Sequence, residues 1–114
     1  MQKFSCKLLA ASAMAMGALG VAHAGMPAHA LEQGSYANQI LAKDALAGVT
    51  AKVHTLGCSN PQRYQPYVMQ KPSGQAGSRA WQEQWVVDGC GKQYPVLLNF
   101  REEGAKGASW NIVN

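Results

Sequence analysis

The chain has 114 residues, of which 14% are charged, and ten Lys or Arg stand against six Asp or Glu for a formal net charge of +4. The basic residues are scattered rather than gathered into a stripe or run, which excludes the electrostatic footprint of a nucleic-acid-binding protein. A length of this order predicts a single domain whose limited core benefits from an added constraint.

Residues 1–24 read MQKFSCKLLAASAMAMGALGVAHA. Lys3 and Lys7 supply a positive start, Leu8 to Val21 form an uncharged stretch rich in Ala, Leu, Met and Gly, and Ala22-His23-Ala24 ends it with small residues. This layout predicts a cleavable signal peptide over 1–24, with export to the periplasm or the medium. The apolar stretch of about 14 residues falls short of the roughly 20 that a membrane-crossing helix needs. The mature domain, 25–114, is expected to carry no membrane span. Cys6 precedes the apolar stretch, so it does not occupy a lipidation position. A second small-residue pair at Ala28-His29-Ala30 leaves cleavage after Ala24 or after Ala30 open.

Removing Cys6 with the leader leaves Cys58 and Cys90. In an oxidising compartment a lone pair of this kind forms a disulfide. The bridge would close a loop of about 33 residues, which corresponds to roughly 3–4 kcal/mol on the chain-entropy account.

Along the mature chain, residues to about 33 show no periodicity and read as a flexible leader. A helix is expected from Ser35, which can cap it. Tyr36, Ile40, Leu41 and Leu46 supply an apolar side, and Gly48 stands where the helix would close. Val49 to Leu56 suits either a strand or a continued helix, and Gly57 to Pro61 reads as a turn. Strands are then predicted at Tyr64–Lys71, Ala80–Asp88 and Tyr94–Arg101, with a last short segment at Ala108–Val113. The period of two puts Trp81, Glu83, Trp85 and Val87 on one face, and Val96, Leu98 and Phe100 on one face of the next strand. Trp81 and Trp85 would align equally on a helix; the neighbouring strand signals favour the strand. The predicted fold is α+β, an N-terminal helix packed on a small antiparallel sheet of about four strands, with one disulfide.

The run Trp81-Gln82-Glu83-Gln84-Trp85-Val86-Val87-Asp88-Gly89-Cys90-Gly91, followed by Val96, Phe100, Gly104, Gly107 and Trp110, resembles a signature of small exported proteobacterial proteins of unknown function. That signature reads near WxExWxVxxCGxxxxVxxxFxxxGxGGTxF, and Ala108-Ser109-Trp110 depart from its Gly-Thr-aromatic ending. The resemblance implies export, the disulfide and a small α+β domain, and implies no catalytic role.

Several arrangements bear on chemistry. His54 and Cys58 could pair as nucleophile and base or as metal ligands, but a third group is missing for either role, and a bridged cysteine serves neither. Glu83 between two indoles could serve as an acid, or equally accept a hydrogen bond from an indole or pair with Arg79 or Arg101. Glycoside hydrolysis would need a second carboxylate, and the spacing of Asp88 and Glu102 nominates neither. Gly89-Cys90-Gly91 and the Gly104–Ser109 segment lack the order of a dinucleotide or phosphate loop and read as turns needing positive φ. No metal site, cofactor or catalytic residue is expected.

The aromatics remain. Tyr64, Tyr67, Trp81, Trp85 and Trp110, with Glu83, form the candidate binding surface, since Tyr and Trp are enriched at interfaces; the other account of these aromatics is that they are half-buried in the core. The expected function is that of a non-enzymatic binding protein of the bacterial envelope, recognising an envelope or secreted protein or a glycan through a sheet face or the loops beside Cys90. The alternatives are an inhibitor of a hydrolase such as lysozyme, or a small hydrolase using Glu83.

Overall fold

The computed structural model describes residues 26–113, so the signal-peptide reading of 1–24 lies outside the described residues. The elements are β1 (Glu32–Gln33), α1 (Gln39–Thr55), β2 (Pro61–Ser73), β3 (Ala80–Gly89), β4 (Lys92–Glu102), a 3-10 turn (Gly104–Lys106) and β5 (Ala108–Ile112). The strands form one sheet in the order β1-β2-β3-β4-β5, every neighbouring pair antiparallel. The α+β expectation holds, with two corrections. The sheet has five strands rather than four, and the helix is not the first element.

The extra strand is β1, drawn from the segment read as a leader. Two residues cannot display an alternating pattern. What forms the strand is backbone pairing to β2, with Leu31 N donating to Val68 O at 2.8 Å and Gly34 N to Pro66 O at 2.9 Å.

The helix starts later and ends later than its apolar residues suggested. Asn38, not Ser35, caps it: its Oδ1 accepts from Leu41 N at 2.8 Å. The buried stripe is Leu41, Ala45, Val49 and Val53, at the four-residue interval that keeps one helical face against the sheet. Ile40 is 76% exposed and Leu46 37% exposed, so the bulkier hydrophobes misplace the stripe. Val49 to Thr55 resolves as helix.

Closure comes at Gly57, whose φ of 105° only glycine adopts readily. Gly57 N donates to His54 O at 3.0 Å and Cys58 N to Val53 O at 3.1 Å, the two bonds of a Schellman cap. This cap brings Cys58 into the core directly after the helix.

Gly48, expected to end the helix, is instead its point of closest approach to the sheet. A Cβ there would lie 2.7 Å from Cζ3 of Trp110 on β5. The absent side chain lets the edge of the indole reach the helix backbone.

Between β3 and β4 the hairpin loop is Cys90-Gly91, with φ of 53° and 72°. Positive φ at both central residues is the geometry of a type I′ turn, whose twist matches that of the strands. Cys90 bonds to Cys58 with a Cα–Cα distance of 5.8 Å. Gly89 admits the bridge, because a Cβ there would stand 2.9 Å from Pro61 Cα and 3.0 Å from Cys58 Sγ.

Trp81 pairs with Phe100, Glu83 with Leu98, Trp85 with Val96 and Val87 with Tyr94, so these residues share the helix-facing side. Together with the α1 stripe and Cys58 they form the core. Trp81 stacks on Phe100 with centroids 5.3 Å apart and planes 11° apart.

Helix propensity and packing make opposite predictions for Gly48→Ala. Propensity alone favours Ala by about 1 kcal/mol, whereas overpacking against Trp110 costs about 1–3 kcal/mol. We expect net destabilisation in chemical denaturation, relieved in the Gly48→Ala/Trp110→Leu double variant relative to Trp110→Leu alone. A more stable Gly48→Ala would refute the close approach.

Candidate functional site

Two tryptophans at the second and sixth positions of β3 bring two indole N–H groups into the core, and each must find an acceptor there. Glu83, between them on the same face and fully buried, supplies both. Trp81 Nε1 donates to Oε2 at 2.8 Å and Trp85 Nε1 to Oε1 at 2.9 Å. Oε2 also accepts from Ser35 Oγ at 3.0 Å and from Tyr36 N at 2.8 Å. Ser35 Oγ in turn accepts from Ala37 N at 3.0 Å. The carboxylate thus ties the middle of the sheet to the turn that leads into α1. With both oxygens engaged and no solvent access, Glu83 acts here as a structural acceptor.

A second tie closes the opposite end of the sheet. Arg79 and Glu102 form a bidentate pair, Nε to Oε1 at 3.1 Å and Nη2 to Oε2 at 2.8 Å. Gly77 N and Arg79 N also donate to Oε1, at 2.9 and 3.1 Å. The Arg79 guanidinium, aided by these backbone N–H groups, holds the Glu102 carboxyl at about 2, against an ordinary 4.5. The same contact raises Arg79 above its usual value.

The candidate binding residues are not brought together on a surface. Trp81, Trp85 and Glu83 lie in the core beneath α1, and Tyr67 is only 4% exposed. Tyr64 and Trp110 are half-buried against that core. Tyr64 Oη shares a 2.6 Å hydrogen bond with Thr50 Oγ1 of the helix, and Trp110 rests on Gly48. For Trp81, Trp85 and Trp110 burial follows from the period of two, which turns them towards the helix, whereas Tyr67, paired with Gln84, is buried on the other face. His54 is exposed and Cys58 is bridged, so the two make no nucleophile or metal site. Among the described residues, no cluster of three His, Cys, Asp or Glu could hold a metal ion, and no helix is long and apolar enough to cross a membrane.

The other face of the sheet carries no helix, and Tyr67 and Val86 are the buried residues on it. Register aligns Gln70 with Gln82, Gln82 with Asn99, and Asn99 with Asn111. The result is one row of side-chain amides across β2 to β5. With strands about 4.8 Å apart the row spans about 14 Å. Gln82 Nε2 donates to Asn99 Oδ1 at 3.1 Å. Gln70, Asn99 and Asn111 are exposed and Gln82 is half-buried. Gln65 and Gln84 lie on the same face, aligned with Val86 and Tyr67.

Residues 26–28 border a shallow depression with Gln84, Val86, Gln93 and Pro95, so the start of the described chain lies near the other end of this face. The period of two already sends Gln82 and Gln84 away from the tryptophans. Only the pairing of four strands, including a bulge between Val68 and Gln70, lines the amides up.

Glu83→Gln places an amide N–H against donors that need an acceptor. We expect a loss of about 2–4 kcal/mol in denaturant unfolding with altered tryptophan fluorescence, and wild-type stability would overturn the assignment. For Glu102, a depressed carboxyl lends stability that is present above its ordinary value and lost as pH falls towards about 2. An NMR titration of the side-chain carboxyl should find that low midpoint. It should rise part of the way towards 4.5 in Arg79→Gln, where the Gly77 and Arg79 backbone donors persist.

No protein-family model matches the chain, and no curated protein or solved structure shows significant similarity to it.

Proposed function

We propose that this chain is an exported, non-enzymatic binding protein of the bacterial envelope, acting in the periplasm or the medium, and that the sheet face opposite α1 is its recognition surface. The observation that carries the reading is the amide row Gln70, Gln82, Asn99 and Asn111, held in register on the exposed side. Each amide both donates and accepts, and the backbone beneath it is locked in a sheet, so little ordering entropy is lost on binding.

The Cys90 hairpin is a weaker surface. Its loop is two residues long, and Cys90 is committed to the disulfide. The disulfide supports a compartment that is oxidising. Catalysis through Glu83 loses its motivation, because that carboxylate is buried and engaged by four donors.

The reading is tested by NMR mapping of the purified oxidised protein against envelope glycan fractions and envelope extract. Side-chain amide resonances of Gln82, Asn99 and Asn111 should shift on binding. A Gln82→Lys/Asn99→Lys variant should lose binding with its thermal midpoint retained, whereas Lys92→Glu at the hairpin should keep it. Perturbations confined to the Cys90 hairpin would move the recognition surface there, and no perturbation with any fraction would refute a binding role.

A further inference from the structure

We infer that the β4–β5 end of the amide row binds a glycan that carries a carboxylate, an inference that rests on the open face being the recognition surface. At that end Ala80, Asn99, Arg101, Glu103, Ser109 and Asn111 border an open depression of about 360 Å³. Asn99 and Asn111 are the last two amides of the row, and Arg101 and Ser109 form the next aligned pair, two residues further along their strands.

The charges in the depression are not equivalent. Glu103 Oε2 already accepts from Ser109 Oγ at 2.9 Å. Arg101 is exposed and makes no ion pair among the described residues, in contrast to Arg79, whose guanidinium is taken by Glu102. A planar guanidinium fork beside two amides presents paired donors to a carboxylate and mixed donors and acceptors to hydroxyl groups. The second oxygen of Glu103 can accept from a further hydroxyl.

Other ligand classes fit less well. A nucleic acid would need several cations along the row, and Arg101 is the one cation bordering this depression. A peptide would need pockets for apolar side chains, and the side chains that point outward here are Ala80, a hydroxyl, two amides and two charges. A neutral glycan would satisfy the amides and leave Arg101 unused. The strand spacing of about 4.8 Å is close to the advance of one sugar ring along an extended glycan, so successive amides can meet successive sugars.

The test uses the purified oxidised protein with an oligogalacturonate and its carboxyl-reduced counterpart, followed by NMR titration and calorimetry. The acidic oligomer should shift the Asn99 and Asn111 amides and bind about tenfold more tightly than the reduced one. Arg101→Gln, at an exposed position, should erase that preference, bringing the two oligomers to equal affinity. Asn111→Ala should weaken both oligomers. Equal binding of the two oligomers by the unaltered protein would overturn the carboxylate assignment and leave the open-face reading standing. A peptide bearing a free C-terminal carboxylate that displaces the oligomer from these residues would overturn the glycan class. If neither oligomer moves an open-face resonance the glycan inference fails, and if envelope extract moves none either, the recognition surface fails with it.

Discussion

The structure depends on a carboxylate placed where no water reaches it. Glu83 sits at the centre of the middle strand and accepts from both indoles of that strand, from a serine hydroxyl and from a backbone N–H. A buried indole N–H without a partner is costly, and so is a buried carboxylate without donors. Each resolves the other's cost. The arrangement allows two tryptophans on one strand face to enter the core whole. It also fixes where the chain must pass before α1, because Ser35 and Tyr36 have to reach the same oxygen.

From that point the helix is docked by three local devices. The Asn38 cap starts it, the Gly48–Trp110 approach sets its distance from β5, and the Schellman cap at Gly57 delivers Cys58 to the disulfide. The partner cysteine occupies a positive-φ site of a two-residue hairpin, with a glycine on either side. The bridge therefore ties the end of the helix to the tip of the longest-paired hairpin. Helix and sheet are held at both ends of their interface, and on the opposite face Tyr67 and Val86 are buried away from the helix.

The amides stand on that opposite face. A face with no element packed on it must be polar to remain in water, and charged side chains are the usual solution. Here Gln65, Gln70, Gln82, Gln84, Asn99 and Asn111, neutral and able both to donate and to accept, stand among apolar residues such as Tyr67 and Val86. Alignment in a row is more than solubility requires, which is why the face rather than the hairpin tip carries the functional proposal.

The strands from Ala80 onward, the turn at Cys90-Gly91 and the cysteine pairing were legible in the sequence, because each rests on local chemistry: alternation, glycine at positive φ, and the two cysteines of residues 25–114. The helix was legible in kind but not in phase, since Ala45 and Gly48 do their packing by being small and give no hydrophobic signal. β1 was invisible, because a two-residue strand exists only through hydrogen bonds to a distant partner. In the sequence the aromatics fit either a surface or a core, and Glu83 either an acid or an indole acceptor; burial of Trp81, Glu83 and Trp85 gives the core and the acceptor.

By itself the sequence determined the α+β class, the approximate places of four of the five strands and the disulfide. Only the tertiary structure decided which face is covered, which stripe of α1 packs, and that four amides from four strands stand side by side. The reason is physical: alternation and turn chemistry act within a few residues, whereas register and the choice of buried face are settled by contacts between residues far apart in the chain.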